Sequence, residues 1–184
     1  MKSLSKILMV IVVLLSVAKS FAQNQNEQHH KGQMPAVTSQ NLTQLQAIFD
    51  KYFSIKDALV SADTKKASSN ATALAAAIKA LDMGKLSAEE HTVWMKVRKE
   101  LSLNTESIVK SKELVKQRTA LNSLSKNIYE LAKVSNLEAT IYYQQCSMYN
   151  NGKGGTWLSK SPAIKNPYYG SKMLSCGRTI EKLN

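Results

Sequence analysis

Apolar residues recur every three or four positions from about residue 41 to residue 131, a period typical of amphipathic helices. We predict four helices, which are, in order, Asn41 to about Ser61, an alanine-rich helix ending near Met83-Gly84, about Ala88 to near Lys110, and a helix closed by Ser135-Asn136. Ser87 and Glu90 form a capping box at the start of the third. Short connections between helices of this length predict a mainly α fold, an antiparallel four-helix bundle.

The pattern changes near Ala139, where β-forming residues replace the helical period. Residues 140–143 and the Thr179-Ile180 pair predict a short antiparallel ladder with a long excursion between its strands. This small C-terminal β-hairpin-like cap, about residues 139–184, would bring Cys146 and Cys176 to the same end of the ladder. We expect Trp157 and Leu158, within the turn-rich loop between the cysteines, to pack the chain against the helices.

The N-terminal residues predict export. Lys2 and Lys6 precede an apolar run, Ile7 to Val17, that ends near Ala22. These are the features of a cleaved Sec-type signal peptide, residues 1–22. Residues 23–40 are polar and predict a flexible leader, and residues 41–184 predict a single domain. We therefore expect a periplasmic or secreted protein without stable membrane insertion after signal cleavage.

Charge and motif content narrow the classes of function. The formal charge of +12 falls to +9 when residues 1–22, which hold three lysines and no acidic residue, are removed. The lysines are scattered along the helices, so we expect no nucleic-acid partner. The three histidines are His29 and His30 in the leader and His91 on the third helix, which leaves no base beside either cysteine. The Asn150–Gly155 loop lacks the ending of a phosphate loop and predicts a turn. We expect a protein that is not an enzyme.

Sulfur is the remaining candidate chemistry. Cys146 and Met148 lie at one end of the glycine-rich loop, and Met173 and Cys176 lie at the other. Thiolate and thioether are soft ligands that favour Cu(I), so these four residues form a candidate copper site. Two cysteines in an exported protein also predict a disulfide, and a redox-labile pair could bind Cu(I) only when reduced. Both interpretations require Cys146 and Cys176 to be close together.

The same region resembles a known family. The resemblance is carried by residues 146–148, 150–154, 156–159, 166–170 and 173–177 with the early segment 52–59, and it covers about residue 45 to the end. These motifs are similar to those of an exported bacterial family of domains of unknown function, whose members stand alone or sit at the end of periplasmic adaptors of CusB-type heavy-metal efflux pumps. Ser147 and Tyr149 replace the proline and alanine of the family's Cys-Pro-Met-Ala pattern.

The resemblance implies metal handling and a metal-efflux adaptor, or another envelope protein, as partner. We therefore expect an exported protein that binds a soft metal, Cu(I), through Cys146, Met148, Met173 and Cys176. The alternative is a non-catalytic envelope interaction module whose two cysteines form a structural disulfide.

Overall fold

The structure, a computed structural model, describes residues 38–184, with side chains from residue 44. The predicted signal peptide and most of the predicted leader lie outside the described residues. Four helices are followed by a small sheet, as the change of pattern near residue 139 predicts. In chain order the helices are α1 (Thr38–Val60), α2 (Thr64–Ala80), α3 (Ala88–Lys110) and α4 (Leu114–Ala132), and the strands are β1 (Ile141–Cys146), β2 (Gly155–Ser159) and β3 (Arg178–Leu183).

Local capping chemistry sets the helix starts. The Ser87 hydroxyl accepts the Glu90 amide at 3.2 Å, and the Glu90 carboxylate accepts the Ser87 amide at 2.9 Å. This confirms the predicted capping box, which satisfies two amides that the helix cannot pair internally. Asp63 begins α2 in a similar way, since its carboxylate accepts the Lys66 amide at 2.9 Å. The starts of α2 and α3 are therefore set by local capping residues, whereas Glu113 at the start of α4 makes no such side-chain bond.

Each helix packs against the next one along the chain, and α1 also contacts α4. The apolar stripes that predicted the helices form one core between them; fully buried members include Phe49, Leu59, Leu74, Leu101, Ile108, Leu121 and Ile128. The mainly helical fold is thus confirmed, while the antiparallel four-helix bundle remains a prediction. None of the helices in the described part of the chain is long and apolar enough to span a membrane.

The C-terminal sheet has three antiparallel strands in the order β2-β1-β3. The predicted pairing of β1 with β3 is present, with Tyr142 opposite Lys182 and a bulge between Tyr143 and Gln144. The expectation of a two-stranded hairpin-like cap is corrected by β2, which pairs along the other edge of β1. Since β1 has a neighbour on each side, it is the central strand of the sheet.

Strand β2 is held by the helices along its outer edge. The Tyr52 hydroxyl in α1 accepts the Leu158 amide at 3.0 Å, and the Asn122 side chain in α4 accepts the Thr156 amide at 3.1 Å. The Thr156 carbonyl accepts a hydrogen bond from the Tyr168 hydroxyl. Side chains thereby satisfy backbone groups that an edge strand would otherwise leave open. The sheet is therefore joined to the helices by hydrogen bonds as well as by apolar packing.

Candidate functional site

The two cysteines meet at one end of the sheet. Cys146 is the last residue of β1 and is fully buried, whereas Cys176 lies two residues before β3 and is half-buried. Both are free, and their Sγ atoms are 2.7 Å apart. The predicted proximity is therefore confirmed. The cause is the antiparallel ladder, in which Gln145 pairs with Arg178. Strand β1 leaves this pair towards Cys146 at the same end of the sheet at which the chain arrives from Cys176 and enters β3.

The sulfur–sulfur distance bears on both interpretations of the pair. It is longer than the disulfide bond of about 2.05 Å but shorter than the van der Waals separation of two unbonded sulfur atoms, so the two side chains are placed for a bond between them. It is shorter than a shared ion requires, because thiolate–metal bonds of about 2.3 Å put two sulfurs of a tetrahedral site about 3.8 Å apart. As placed, the thiols could close to a disulfide with a small movement. A metal ion would need them to separate by about 1 Å.

Asn166 positions the segment that carries Cys176. Its side-chain amide donates to the Cys176 carbonyl at 2.9 Å, and its own backbone amide donates to the Leu174 carbonyl at 2.9 Å. Its side-chain oxygen accepts the Tyr168 amide at 2.8 Å, and the side chain is fully buried. One amide thus ties the turn before Cys176 to the loop after β2. The Asn-Pro pair in the sequence marks a turn but gives no indication of this role.

Gly177 allows the chain to pass close to the sheet. Its φ is +149°, and a Cβ there would lie 2.8 Å from the Trp157 ring and 2.9 Å from the Gln145 carbonyl oxygen. A side chain would therefore push Cys176, the neighbouring residue, away from β1. Glycine at this position is needed for the two thiols to approach each other.

The environment of the thiols differs between the two cysteines. The hydrogen bond with Cys146 raises the pKa of the Cys176 thiol, and burial adds to this rise. A raised pKa keeps the thiol protonated at neutral pH, which slows both nucleophilic attack and metal capture. Cys176 also lines a solvent-open cavity of about 390 Å³, together with Ser147 and Arg178. Any reagent reaching the pair meets Cys176 first.

The two methionines of the predicted site are placed differently. Met173 is half-buried in a short 3₁₀ turn, where its carbonyl accepts the Cys176 amide at 3.1 Å. Met148 is 58% exposed and lines a different cavity from the one that Cys176 lines. Within residues 44–184, no group of three or more His, Cys, Asp or Glu side chains comes together to hold an ion. His91, expected on the helix surface, is exposed.

Gln144 supports the site from within the sheet. Its side-chain oxygen accepts the Trp157 indole N–H at 2.7 Å, and its amide donates to the carbonyls of Ser161 and Pro162 at 3.2 Å. The residue is fully buried on the central strand, two positions before Cys146. It holds β2 and the following loop in register. Sequence reasoning missed it, and the only signal is a glutamine at a buried position of an alternating strand.

These observations define a mainly helical protein that carries a thiol pair on a small antiparallel sheet. The chain belongs to the family described as "Protein of unknown function (DUF3347)", whose model matches residues 48–140. The matched segment runs from α1 to the residue before β1 and so excludes both cysteines. No curated protein and no solved structure matches the chain.

Proposed function

We propose that the protein is an exported, non-catalytic metal-handling protein whose Cys146–Cys176 pair binds Cu(I) when reduced and closes to a disulfide when oxidised. The supporting observation is the approach of two free thiols to 2.7 Å beside an open cavity. Two thiols are soft ligands of the kind that Cu(I) prefers, and the same two groups can form a disulfide. The proposal includes a periplasmic or secreted location, which rests on the signal-like residues 1–22.

Metal binding would require one thiol to move. Cys146 is buried in the ladder of the central strand, while Cys176 lies on the turn between a 3₁₀ helix and β3. Cys176 is therefore the thiol that would shift by about 1 Å to admit the ion. Met173 lies three residues before it and would move with the same turn. Met148 and Met173 remain proposed ligands, to be tested separately from the cysteines.

The test is a titration of the reduced mature protein with Cu(I) against a competing chelator. We expect one tightly bound equivalent, and its loss in the Cys146→Ser, Cys176→Ser variant. Met148→Leu and Met173→Leu separate the thioethers, since each changes affinity only if that sulfur is a ligand. Unchanged binding in the double cysteine variant would refute the copper site.

A second candidate function is a non-catalytic envelope interaction module in which the disulfide is permanent. The sulfur distance favours it, because the thiols are already closer than an ion allows. Closing the loop between Cys146 and Cys176 would stabilise the fold by about 3 to 4 kcal/mol on the chain-entropy account. Thiol counting on protein isolated from the periplasm and unfolded in denaturant decides, because two free thiols then rule out the permanent disulfide.

The helices would then supply the contact with a partner, which we propose to be a metal-efflux adaptor or another envelope protein. We also propose that they are arranged as an antiparallel four-helix bundle, in keeping with the packing of each helix on the next. Co-purification of the cysteine double variant separates the two functions. A partner retained without metal binding favours the interaction module.

A further inference from the structure

A second cavity, of about 510 Å³, lies away from the thiol pair, between the start of α4, the turn after α1 and the C-terminal loops. We call it the Arg118 cavity. Arg118 and Lys172 line it, and of the residues with described side chains no acidic one does. Its volume falls in the range of small-ligand sites, about 300 to 1,000 Å³. The cavity is therefore large enough for a small molecule and has a net positive lining.

Three residues in the left-handed backbone region lie around the Arg118 cavity. Ala62, Asn150 and Asn151 have φ values of 56°, 56° and 55°, and they are the non-glycine residues with positive φ within residues 38–184. All three line this one cavity. Ala62 takes the left-handed conformation directly after α1, where glycine is the usual residue. Asparagine adopts this conformation readily in turns, so these residues shape the cavity wall through the turn after β1 and the end of α1.

Arg118 has an unused donor inside the protein. Its Nη2 atom donates to the Leu59 carbonyl at 3.1 Å, which caps the end of α1. Its Nε atom is buried and has no hydrogen-bond partner in the part of the chain that the structure describes. A buried donor without a partner destabilises the fold, and more so when it is charged. Burial also lowers the pKa of the guanidinium. Arg118 as a whole is half-buried and lines the cavity, so a carboxylate there would meet the accessible part of its guanidinium, a group that binds carboxylates through paired N–H groups.

The remaining walls are apolar and aromatic. The Tyr149 ring stacks on Tyr168 at 4.1 Å between centroids and meets Tyr169 edge-on at 6.2 Å. Val115 and Met148, both on the lining, are 74% and 58% exposed. Covering exposed apolar side chains with a flat or apolar molecule is favourable. The lining therefore combines cationic donors with a surface suited to a ring or a short hydrocarbon.

We propose that the Arg118 cavity binds a small organic anion, a carboxylate carried on a flat or apolar body, with Arg118 and Lys172 contacting the carboxylate. The site contains neither cysteine, and Met148 is the one residue that its lining shares with the proposed copper ligands. Arg118 also caps α1, so the cap alone would account for its position. The cap does not explain why a second cationic side chain, Lys172, and the aromatic and apolar side chains line the same cavity while no acidic residue with a described side chain does.

Benzoate is the probe, and benzamide is its neutral counterpart of the same shape. Amide resonances of the ¹⁵N-labelled mature protein are followed during titration with each. We expect shifts confined to residues 148–151 and 168–172 and the nearby helix ends, with benzoate binding at least about tenfold more tightly than benzamide. Equal affinity, or shifts spread over the surface, would overturn the proposal. Inorganic phosphate binding as tightly as benzoate would overturn the apolar part of it.

Variants assign the contacts. Arg118→Gln removes the charge and the orphan donor, and we expect benzoate binding to fall by about tenfold or more. Because this change also weakens the cap on Leu59, Lys172→Gln is the second variant, in an exposed side chain. Lys126→Gln on the outer face of α4 is the control with the same change in charge. Affinity that falls equally in the control and in Lys172→Gln contradicts a specific site.

Discussion

Replacing Tyr52 by Phe tests how firmly the sheet is joined to the helices. The Tyr52 side chain is fully buried in α1, and its hydroxyl accepts the Leu158 amide of β2 at 3.0 Å. The same hydroxyl bonds the Ser125 hydroxyl of α4 at 2.7 Å. Phenylalanine keeps the ring and its packing. The change therefore removes one oxygen that three elements share.

The expected cost follows from what is left unpaired. The Leu158 amide loses the partner on its outer side, at about 1 to 3 kcal/mol for a buried donor, and the lost bond to Ser125 adds about 1 kcal/mol. We expect Tyr52→Phe to lower the free energy of unfolding by about 2 to 4 kcal/mol. Ser125→Ala should cost less, about 1 kcal/mol, because Tyr52 would still accept the Leu158 amide. Such a loss is a large part of a typical total stability of about 5 to 15 kcal/mol.

Urea unfolding followed by tryptophan fluorescence measures both variants, since Trp157 lies in β2 beside the lost bond. Tyr142→Phe is the matched control: it is half-buried, its hydroxyl makes no hydrogen bond within the residues that the structure describes, and we expect a change below about 0.5 kcal/mol. If Tyr52→Phe changes stability no more than Tyr142→Phe, the hydroxyl does not join the sheet to the helices.

Three further predictions concern pH, the loop and the thiols. Burial raises the pKa of Tyr52 and of Tyr168 well above 10. Above about pH 10 these tyrosines therefore ionise only in the unfolded protein, and the free energy of unfolding should fall by about 1.4 kcal/mol per pH unit for each. Urea unfolding at pH 9, 10 and 11 measures this fall. Asn166→Ala removes the bonds that hold the Cys176 segment and should destabilise by about 2 to 3 kcal/mol while speeding Cys176 alkylation. In the reduced native protein, iodoacetamide should modify half-buried Cys176 before fully buried Cys146, as read by peptide mass spectrometry.

Each of these has a contrary outcome. If the free energy of unfolding does not change between pH 9 and 11, burial does not raise the pKa values of the two tyrosines in the folded protein. An Asn166→Ala variant with unchanged alkylation would mean that the loop holds Cys176 without that amide. Equal labelling of both cysteines would show that Cys146 opens to solvent as readily as Cys176.

The sequence predicted the parts of the fold that local rules decide. The Ser87–Glu90 box lies within four residues, and each helix shows its apolar period over several turns, so neither depends on distant contacts. The β1–β3 ladder was also predicted, because both segments are rich in β-formers. Strand β2 was not predicted as a strand: its five residues follow a glycine-rich turn, and its edge is satisfied by Tyr52, 106 positions away from Leu158.

The candidate site was likewise predictable only where it depends on local patterns of the sequence. The pairing of Cys146 with Cys176 followed from the ladder, whereas the position of Met148 depends on how the turn after β1 folds. Arg118 gave no signal, because an arginine on a helix surface looks like any solvated charge. What distinguishes Arg118 is its hydrogen bond to the Leu59 carbonyl, 59 positions earlier at the end of α1. Contacts of that separation are fixed by the tertiary fold and leave no periodic pattern.

The hydrogen bonds between the outer edge of β2 and the helices bear on where the chain can be truncated. The family match ends at residue 140, just before the sheet begins. A fragment ending there would leave the Tyr52 hydroxyl and the Asn122 amide facing solvent among apolar side chains that β2 covers in the whole chain. In that fragment the helices would expose the surface that β2 covers in the whole chain. A strand from a neighbouring molecule could bind there, and the fragment could aggregate. We therefore expect a fragment ending at residue 140 to be less stable than the whole chain, and expression trials should keep residues 141–184.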